Sequence, residues 1–180
     1  MNALPEDFLP SLGLNFLANV YYPAYVNNPY GEVLVAILDS KVVGFIQLAT
    51  NPEKYLDWII KEKFLSLSWY LFRLGLRKPR RILEAIAIAQ SKTPKLAESA
   101  EIAILAVKPS MQRLGIGSAL INFANNYSLK KGLNSIYIKT LSSNFHVINM
   151  YQNNCNAEIL FKINILNKSY VYIACNLINT

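Results

Sequence analysis

The chain has 180 residues, of which 53% are hydrophobic and 16% are charged, and its formal net charge at pH 7 is +7. This length suits one domain with a real hydrophobic core, and the composition excludes an intrinsically disordered chain. Because Glu6 and Asp7 stand where a signal peptide would be apolar, and no run of 18 apolar residues occurs, we expect neither a secretion signal nor a transmembrane helix.

The first half of the chain predicts helices around a β-hairpin. EDFLPSLGLNFLANVYYPAYV (residues 6–26) has apolar residues at helical spacing, in two pieces around Pro10. EVLVAIL and KVVGFIQLAT are β-rich, and Asp39-Ser40 between them predicts the hairpin turn. A helical region then runs from Pro52 to about Leu76, broken by Gly75 and Pro79, and a further helix is predicted over residues 79–90.

The second half alternates strands and helices. The predicted strands are AESAEIAILAV, NSIYIKT, AEILFKINI and SYVYIACNL, and the predicted helices are GSALINFANNYSLKKG and SNFHVINMYQNN. This order predicts a single mixed α/β domain over residues 1–180, built on one sheet flanked by helices, with a long helical insert at about 51–95. The central β-α-β step should be parallel and right-handed.

The positive charge is concentrated in one segment. Residues 61–81 contain seven basic residues and one acid, Glu62, so this segment alone carries +6. The rest of the chain is nearly neutral, which argues against a nucleic-acid partner.

Cysteine and histidine are scarce. Cys155 and Cys175 form no CxxC pair, and the chain has one histidine. We therefore expect no metal site, two free thiols and a cytoplasmic protein.

The stretch VKPSMQRLGIGSAL (residues 107–120) places two glycines between a predicted strand and a predicted helix. Free N–H groups at a helix start bind phosphate, and glycine allows a ligand to come close. A Walker loop needs a lysine after its last glycine, and a dinucleotide loop needs a third glycine where Leu120 stands. An acyl-CoA pyrophosphate loop, Gln/Arg-x-x-Gly-x-Gly/Ala, fits Gln112, Gly115 and Gly117.

With these residues the chain resembles the GNAT superfamily of N-acetyltransferases. AEIAILAVKPSMQRLGIGSALI is similar to the central strand, loop and helix of that family, and NFHVINMYQNN is similar to its Asn-x6-Tyr helix, giving Asn144 and Tyr151. The resemblance covers roughly residues 31–176. Cys155-Asn156 departs from the family's usual Gly-Phe, which affects the last turn more than the chemistry.

The resemblance implies a GNAT fold with central strands splayed around acetyl-CoA, and direct transfer of an acetyl group to a primary amine in a ternary complex. Tyr151 would protonate the departing thiolate. Glu101, six residues before Val107, would be the general base, with Glu98 a second choice. A strand period of two would put Glu101, Ala103, Leu105 and Val107 on one face. The residues implied to bind the cofactor are Leu105, Ala106, Val107, Gln112, Arg113, Leu114, Gly115, Ile116, Gly117, Ser118 and Asn144.

The sequence leaves two questions open. Asn144 could be a helix N-cap as well as a cofactor contact. The apolar, basic segment at residues 64–81 could pack on the sheet, cover the acceptor site, form a dimer contact or touch a membrane surface. The alternative function is accordingly a non-catalytic acyl-CoA-binding or membrane-surface module on the same fold.

Overall fold

The computed structural model describes residues 13–77, 79, 83, 96–165 and 167–177. The chain divides into two compact units, Met1–Pro29 with Glu53–Pro94, and Tyr30–Pro52 with Lys95–Thr180. The predicted break at Pro10 and most of the predicted helix over residues 79–90 lie outside the described residues. Among the described residues, no helix is both long and apolar enough to cross a bilayer.

The first unit is helical where the structure describes it. Its helices are α1 (Leu14–Phe16), which continues through a π-helical turn (Leu17–Tyr21) into α2 (Tyr22–Val26), α3 (Pro52–Glu62) and α4 (Phe64–Arg77). The break between α3 and α4 falls at Lys63, and Gly75 lies inside α4. The predicted break at Gly75 is therefore wrong. One glycine costs a helix only about 1 kcal/mol, and the adjacent Leu74 is buried.

Aromatic side chains form much of the interior of this unit. The rings of Phe16 and Tyr70 lie 4.4 Å apart, and Phe16 and Leu74 belong to one buried cluster. A second series of contacts joins Tyr21 to Tyr25 at 4.0 Å and Tyr25 to Tyr55 at 5.2 Å. Burial raises the pKa of Tyr21 well above its ordinary value, so this phenol stays protonated.

Where the structure describes it, the second unit is a mixed sheet of six strands with two α-helices and a short 3-10 helix, Pro109–Met111. The strands are β1 (Gly31–Leu38), β2 (Lys41–Ala49), β3 (Ser99–Val107), β4 (Ser135–Leu141), β5 (Glu158–Ile165) and β6 (Lys168–Asn176), and the helices are α5 (Ile116–Lys130) and α6 (Phe145–Cys155). The strand order is β1-β2-β3-β4-β6-β5. β3 and β4 are parallel, as predicted, and the other pairs are antiparallel.

The main core of this unit lies between one face of the sheet and the two helices. Fully buried Ile46 and Leu48 from β2 meet Ile121 and Ala124 from α5 in one cluster. At Gly44 an added Cβ would lie 3.1 Å from the Ala106 carbonyl oxygen and 3.3 Å from side-chain atoms of α5. Glycine at this position therefore lets α5 pack closely on the centre of the sheet.

The last turn of α6 is bonded to β6. Cys155 and Cys175 form a disulfide with a Cα–Cα distance of 5.5 Å, and no described cysteine is free. The expectation of two free thiols is therefore wrong in this structure, because the packing of α6 on β6 brings together residues 20 positions apart. The thiol argument for a cytoplasmic protein falls away with it.

The hairpin between β1 and β2 has the predicted turn at Asp39 and Ser40, and both residues have positive φ, 49° and 60°. We expect Ser40→Gly to raise the free energy of unfolding by about 0.5–1 kcal/mol, because glycine adopts this conformation without steric strain. Urea denaturation measures the change. Ser143→Gly is the matched control: Ser143 is an exposed turn residue that is not among the positive-φ residues. Glycine there should lower stability slightly through chain entropy, and equal effects at the two sites would contradict the prediction.

Candidate active site

The parallel strands β3 and β4 separate before either of them ends. Their pairing runs from Ser99–Ser135 to Ile102–Ile138, yet β3 continues to Val107 and β4 to Leu141. The β4-facing edge of β3 beyond Ile102 therefore has no strand partner in the described part of the chain. Its backbone N–H and C=O groups on that side can pair with an extended ligand.

A β-bulge sits at the start of this separation. Gln47 pairs with Ile104 while Leu48 pairs with Ile102, so Ala103 is an extra residue on β3. Such a residue interrupts the alternation of side chains between the two faces.

The bulge contradicts the prediction that one face of β3 carries Glu101, Ala103, Leu105 and Val107. Leu105 and Val107 pack against the core beneath α5, as Ile102 does. Glu101 precedes Ile102 and lies on the opposite face. A strict period of two does not apply across the bulge, so the prediction failed there.

The loop between β3 and α5 exposes a series of backbone donors. Gly115 is the N-cap of α5 with φ 79°, and Arg113 also has positive φ, 64°. None of the N–H groups from Arg113 to Ser118 donates to a backbone carbonyl in the described part of the chain. The loop and the first turn of α5 therefore have the geometry of an anion-binding site.

Two side chains fix this loop. Gln112 donates from Nε2 to the carbonyl oxygen of Val107 at 3.2 Å, which ties the loop to the end of β3. Asn154 of α6 donates from Nδ2 to Ser118 Oγ at 3.1 Å and to the Met150 carbonyl at 2.6 Å. Asn154 was missed by sequence reasoning, because its partner lies 36 residues away and no local pattern marks the pair.

Gly117 marks the close approach of α5 to α6. An added Cβ would lie 3.3 Å from Met150 Sδ and 4.0 Å from Val107 Cγ2. A larger side chain must therefore displace Met150 or extend across the free donors of the loop.

Tyr151 lies on α6 within the core between the helices and the sheet. Its side chain is 1% exposed, and its hydroxyl has no hydrogen-bond partner in the described part of the chain. Burial raises the pKa of Tyr151, so the phenol holds its proton at all ordinary pH values. A buried hydroxyl of this kind can donate to a group that enters the core.

Glu101 lies opposite Tyr137 in the last pair but one before β3 and β4 separate. The Tyr137 hydroxyl donates to Glu101 Oε2 at 3.3 Å. Burial raises the pKa of Glu101, against the smaller opposing effects of the Lys139 charge and the Tyr137 hydrogen bond. Burial likewise lowers the pKa of Lys139. The raised pKa makes this carboxylate a better proton acceptor than an ordinary glutamate.

Asn144 is the N-cap residue of α6, but its side chain does not cap the helix. Its Nδ2 donates instead to Thr140 Oγ1 at 3.2 Å. The side chain therefore holds the start of α6 to the end of β4, beside the place where β4 has left β3.

A family model described as the acetyltransferase (GNAT) family matches residues 3–156. By sequence the chain matches no curated protein significantly. The fold is similar to that of the PaiA N-acetyltransferase from Thermoplasma acidophilum in complex with coenzyme A, with 15% identity, a TM-score of 0.58, and coverage of 95% of this chain and 79% of the other.

Two further solved structures share the fold. One, from Bacillus anthracis, is assigned as a streptothricin acetyltransferase and holds acetyl coenzyme A: identity is 16%, the TM-score is 0.57, and 89% of this chain and 70% of that one are covered. The other is the ribosomal-protein-S18-alanine N-acetyltransferase from Escherichia coli, at 12% identity and TM-score 0.54, covering 83% and 70%. The predicted GNAT fold, a mixed sheet with flanking helices, is thereby confirmed.

The unpartnered hydroxyl of Tyr151 leads to a stability prediction. We expect Tyr151→Phe to leave the free energy of unfolding unchanged or raise it by up to about 1 kcal/mol, because a buried polar group without a partner is removed. Tyr137→Phe is the matched control: it removes an equally buried hydroxyl that is bonded to Glu101, and should cost about 1 kcal/mol. Urea denaturation at pH 7 compares the two, and a larger loss for Tyr151→Phe would show that its hydroxyl is already bonded within the protein.

Proposed function

This chain belongs to the acetyltransferase (GNAT) family and is an N-acetyltransferase; from that premise we propose that it binds acetyl-CoA where β3 and β4 separate and transfers the acetyl group directly to a primary amine. The observation that carries the proposal is the junction of β3 and α5. Among the described residues, a strand edge without a partner strand leads there into a loop with six successive N–H groups that donate to no backbone carbonyl.

The residues at this junction fit acetyl-CoA in chemistry. The N–H groups of residues 113–118 suit a pyrophosphate, and the guanidinium of Arg113 adds a positive charge beside them. The free edge at Leu105, Ala106 and Val107 suits the amides of pantetheine. When bound, acetyl-CoA supplies an activated thioester acyl group.

Tyr151 and Glu101 lie on opposite faces of the sheet. Tyr151 packs with the core beneath α5 and α6, whereas Glu101 lies on the other face. The gap between β3 and β4 is the passage through which both can act on one pair of reactants. In the proposed roles Tyr151 donates its proton to the departing sulfur, and Glu101 accepts a proton from the amine.

The amine must lose a proton before it can attack. A lysine-like amine has a pKa near 10.4, so its neutral form is about 4–5 kcal/mol uphill at pH 7. A half-buried carboxylate with a raised pKa suits this step, because its proton affinity is closer to that of the amine. Lys139, on the same face, helps to keep Glu101 ionised.

The acceptor class is proposed only as a primary amine. The relative from Escherichia coli is named for an alanine of a ribosomal protein, which makes a peptide N-terminus one candidate. A polyamine, an amino sugar and an amine-bearing antibiotic complete the panel to be tested, with release of free CoA thiol as the readout.

Cofactor binding is tested by thermal unfolding with acetyl-CoA, CoA and NAD. At about 100 times its Kd a CoA ligand should add about 2.7 kcal/mol, a rise in Tm of about 5–10 °C for a chain of this size, and NAD should add nothing. Gly117→Arg should abolish the rise. The added positive charge alone would favour phosphate binding. Loss of the rise in Tm in this variant therefore identifies steric blocking of the loop.

Asn126→Arg is the matched control, because it adds the same side chain at an exposed position of the same helix and should keep the rise. If no CoA ligand raises Tm, the loop is a structural turn and the proposal fails. If CoA binds but no amine on the panel releases thiol, the proposed transfer to a primary amine fails while the proposed acyl-CoA binding stands.

The proposed base is tested by the pH dependence of kcat/KM. Because the Glu101 pKa is raised, its base form is lost as the pH falls through a value above that of an ordinary glutamate, so kcat/KM should fall on that acidic limb. Glu101→Gln should remove the limb and lower the plateau by about 10²–10⁴-fold. Tyr151→Phe should lower the plateau similarly but keep the limb. An unchanged profile in Glu101→Gln assigns the base elsewhere.

A further inference from the structure

Helix α4 has two apolar faces, and one of them packs against other described residues. Leu67, Tyr70 and Leu74 face the cluster that contains Phe16 and Leu17. On the opposite side lies the exposed stripe of α4, in which four large apolar residues recur at intervals of four, three and four positions, which is one helical face. Its residues and exposed fractions are Leu65 81%, Trp69 62%, Phe72 59% and Leu76 73%.

The sequence along and after α4 carries charge of one sign. From Lys63 to Arg81 the sequence contains six basic residues and no acid. Arg73 is exposed on α4, beside the stripe along the helix. Exposed leucine and aromatic residues with flanking Lys and Arg are typical of helices that lie in the interface of an anionic membrane.

We propose that the exposed stripe of α4 docks the protein on an anionic lipid surface. The apolar side chains enter the boundary between headgroups and acyl chains, and the basic residues contact the lipid phosphates. A second copy of the chain is the other occupant to be considered. A symmetric contact through this stripe would bring two segments of the same positive charge together, which opposes it.

Vesicle flotation tests the proposal with the full chain. Neutral vesicles of phosphatidylcholine are compared with vesicles that contain about 30 mol% phosphatidylglycerol, at low and at physiological salt. We expect binding to the anionic vesicles only, weaker at the higher salt. Arg73→Gln should weaken that binding about fivefold.

The apolar contact is tested by a matched pair of variants. Phe72→Ser should weaken binding to the anionic vesicles roughly tenfold, because the ring no longer enters the interface. Phe123→Ser changes the same residue type at the same exposed fraction, 59%, on α5, and should leave binding unchanged. Equal effects of the two variants would overturn the assignment to α4.

Tryptophan fluorescence gives a second readout. The chain has two tryptophans, Trp58 and Trp69, so the Trp58→Phe variant reports on Trp69 alone. We expect its emission to shift to shorter wavelength when anionic vesicles are added, because the indole leaves water. An unchanged spectrum, or no flotation with either vesicle type, overturns the proposal.

Sedimentation equilibrium without lipid tests the alternative that a second copy of the chain covers the exposed stripe of α4. A monomer is expected. A dimer that Trp69→Ser converts to a monomer would assign the stripe to a second copy and overturn the lipid proposal. Because neither readout depends on acetyl-CoA or on turnover, the outcome is independent of the proposed acetyltransferase chemistry.

Discussion

The separation of β3 from β4 after the Ile102–Ile138 pair is the constraint on which the candidate site depends. Two parallel strands that part within a sheet leave backbone hydrogen-bonding groups without a partner, and such groups are costly to bury. The structure must therefore place them where a ligand or water can reach them. The bulge at Ala103 lies where β3 starts to leave β4, and bulges bend and twist the strand that carries them.

The two helices of the sheet unit complete this arrangement from one side. The position of α5 depends on Gly44, which permits close contact with β2, and on Gly117, which permits close contact with α6. The bond from Asn154 to Ser118 joins α6 to the first turn of α5. The loop that offers free N–H groups is thus held by rigid elements on both of its sides, as a preorganised anion site requires.

Much of this could be predicted from the sequence, because the informative signals were local. The loop motif of Gln112, Gly115 and Gly117 at a strand–helix junction can be recognised from neighbouring residues alone. The hairpin turn at Asp39-Ser40 can be recognised in the same way. The order of strands and helices was also sufficient to predict that β3 and β4 pair in parallel.

The remaining features depend on tertiary structure. The bulge at Ala103 is set by pairing with β2, so a period of two wrongly placed Leu105 and Val107 on the same face as Glu101. The disulfide depends on the packing of α6 against β6, and no spacing rule predicts it. The continuation of α4 through Gly75 reflects burial of Leu74, which outweighs a local propensity.

The Tyr151 hydroxyl shows how a cost in the folded chain can indicate function. A buried hydroxyl without a partner loses its hydration without gaining a hydrogen bond, and phenylalanine would fill the same space without that cost. The surrounding cluster is apolar, so packing alone gives no reason for a tyrosine. A hydroxyl is of use there if its hydrogen-bond partner arrives with the substrate, because a donor already directed at that point needs no reorganisation during the reaction. The raised pKa keeps the phenol protonated, so the hydroxyl is present as a hydrogen-bond donor.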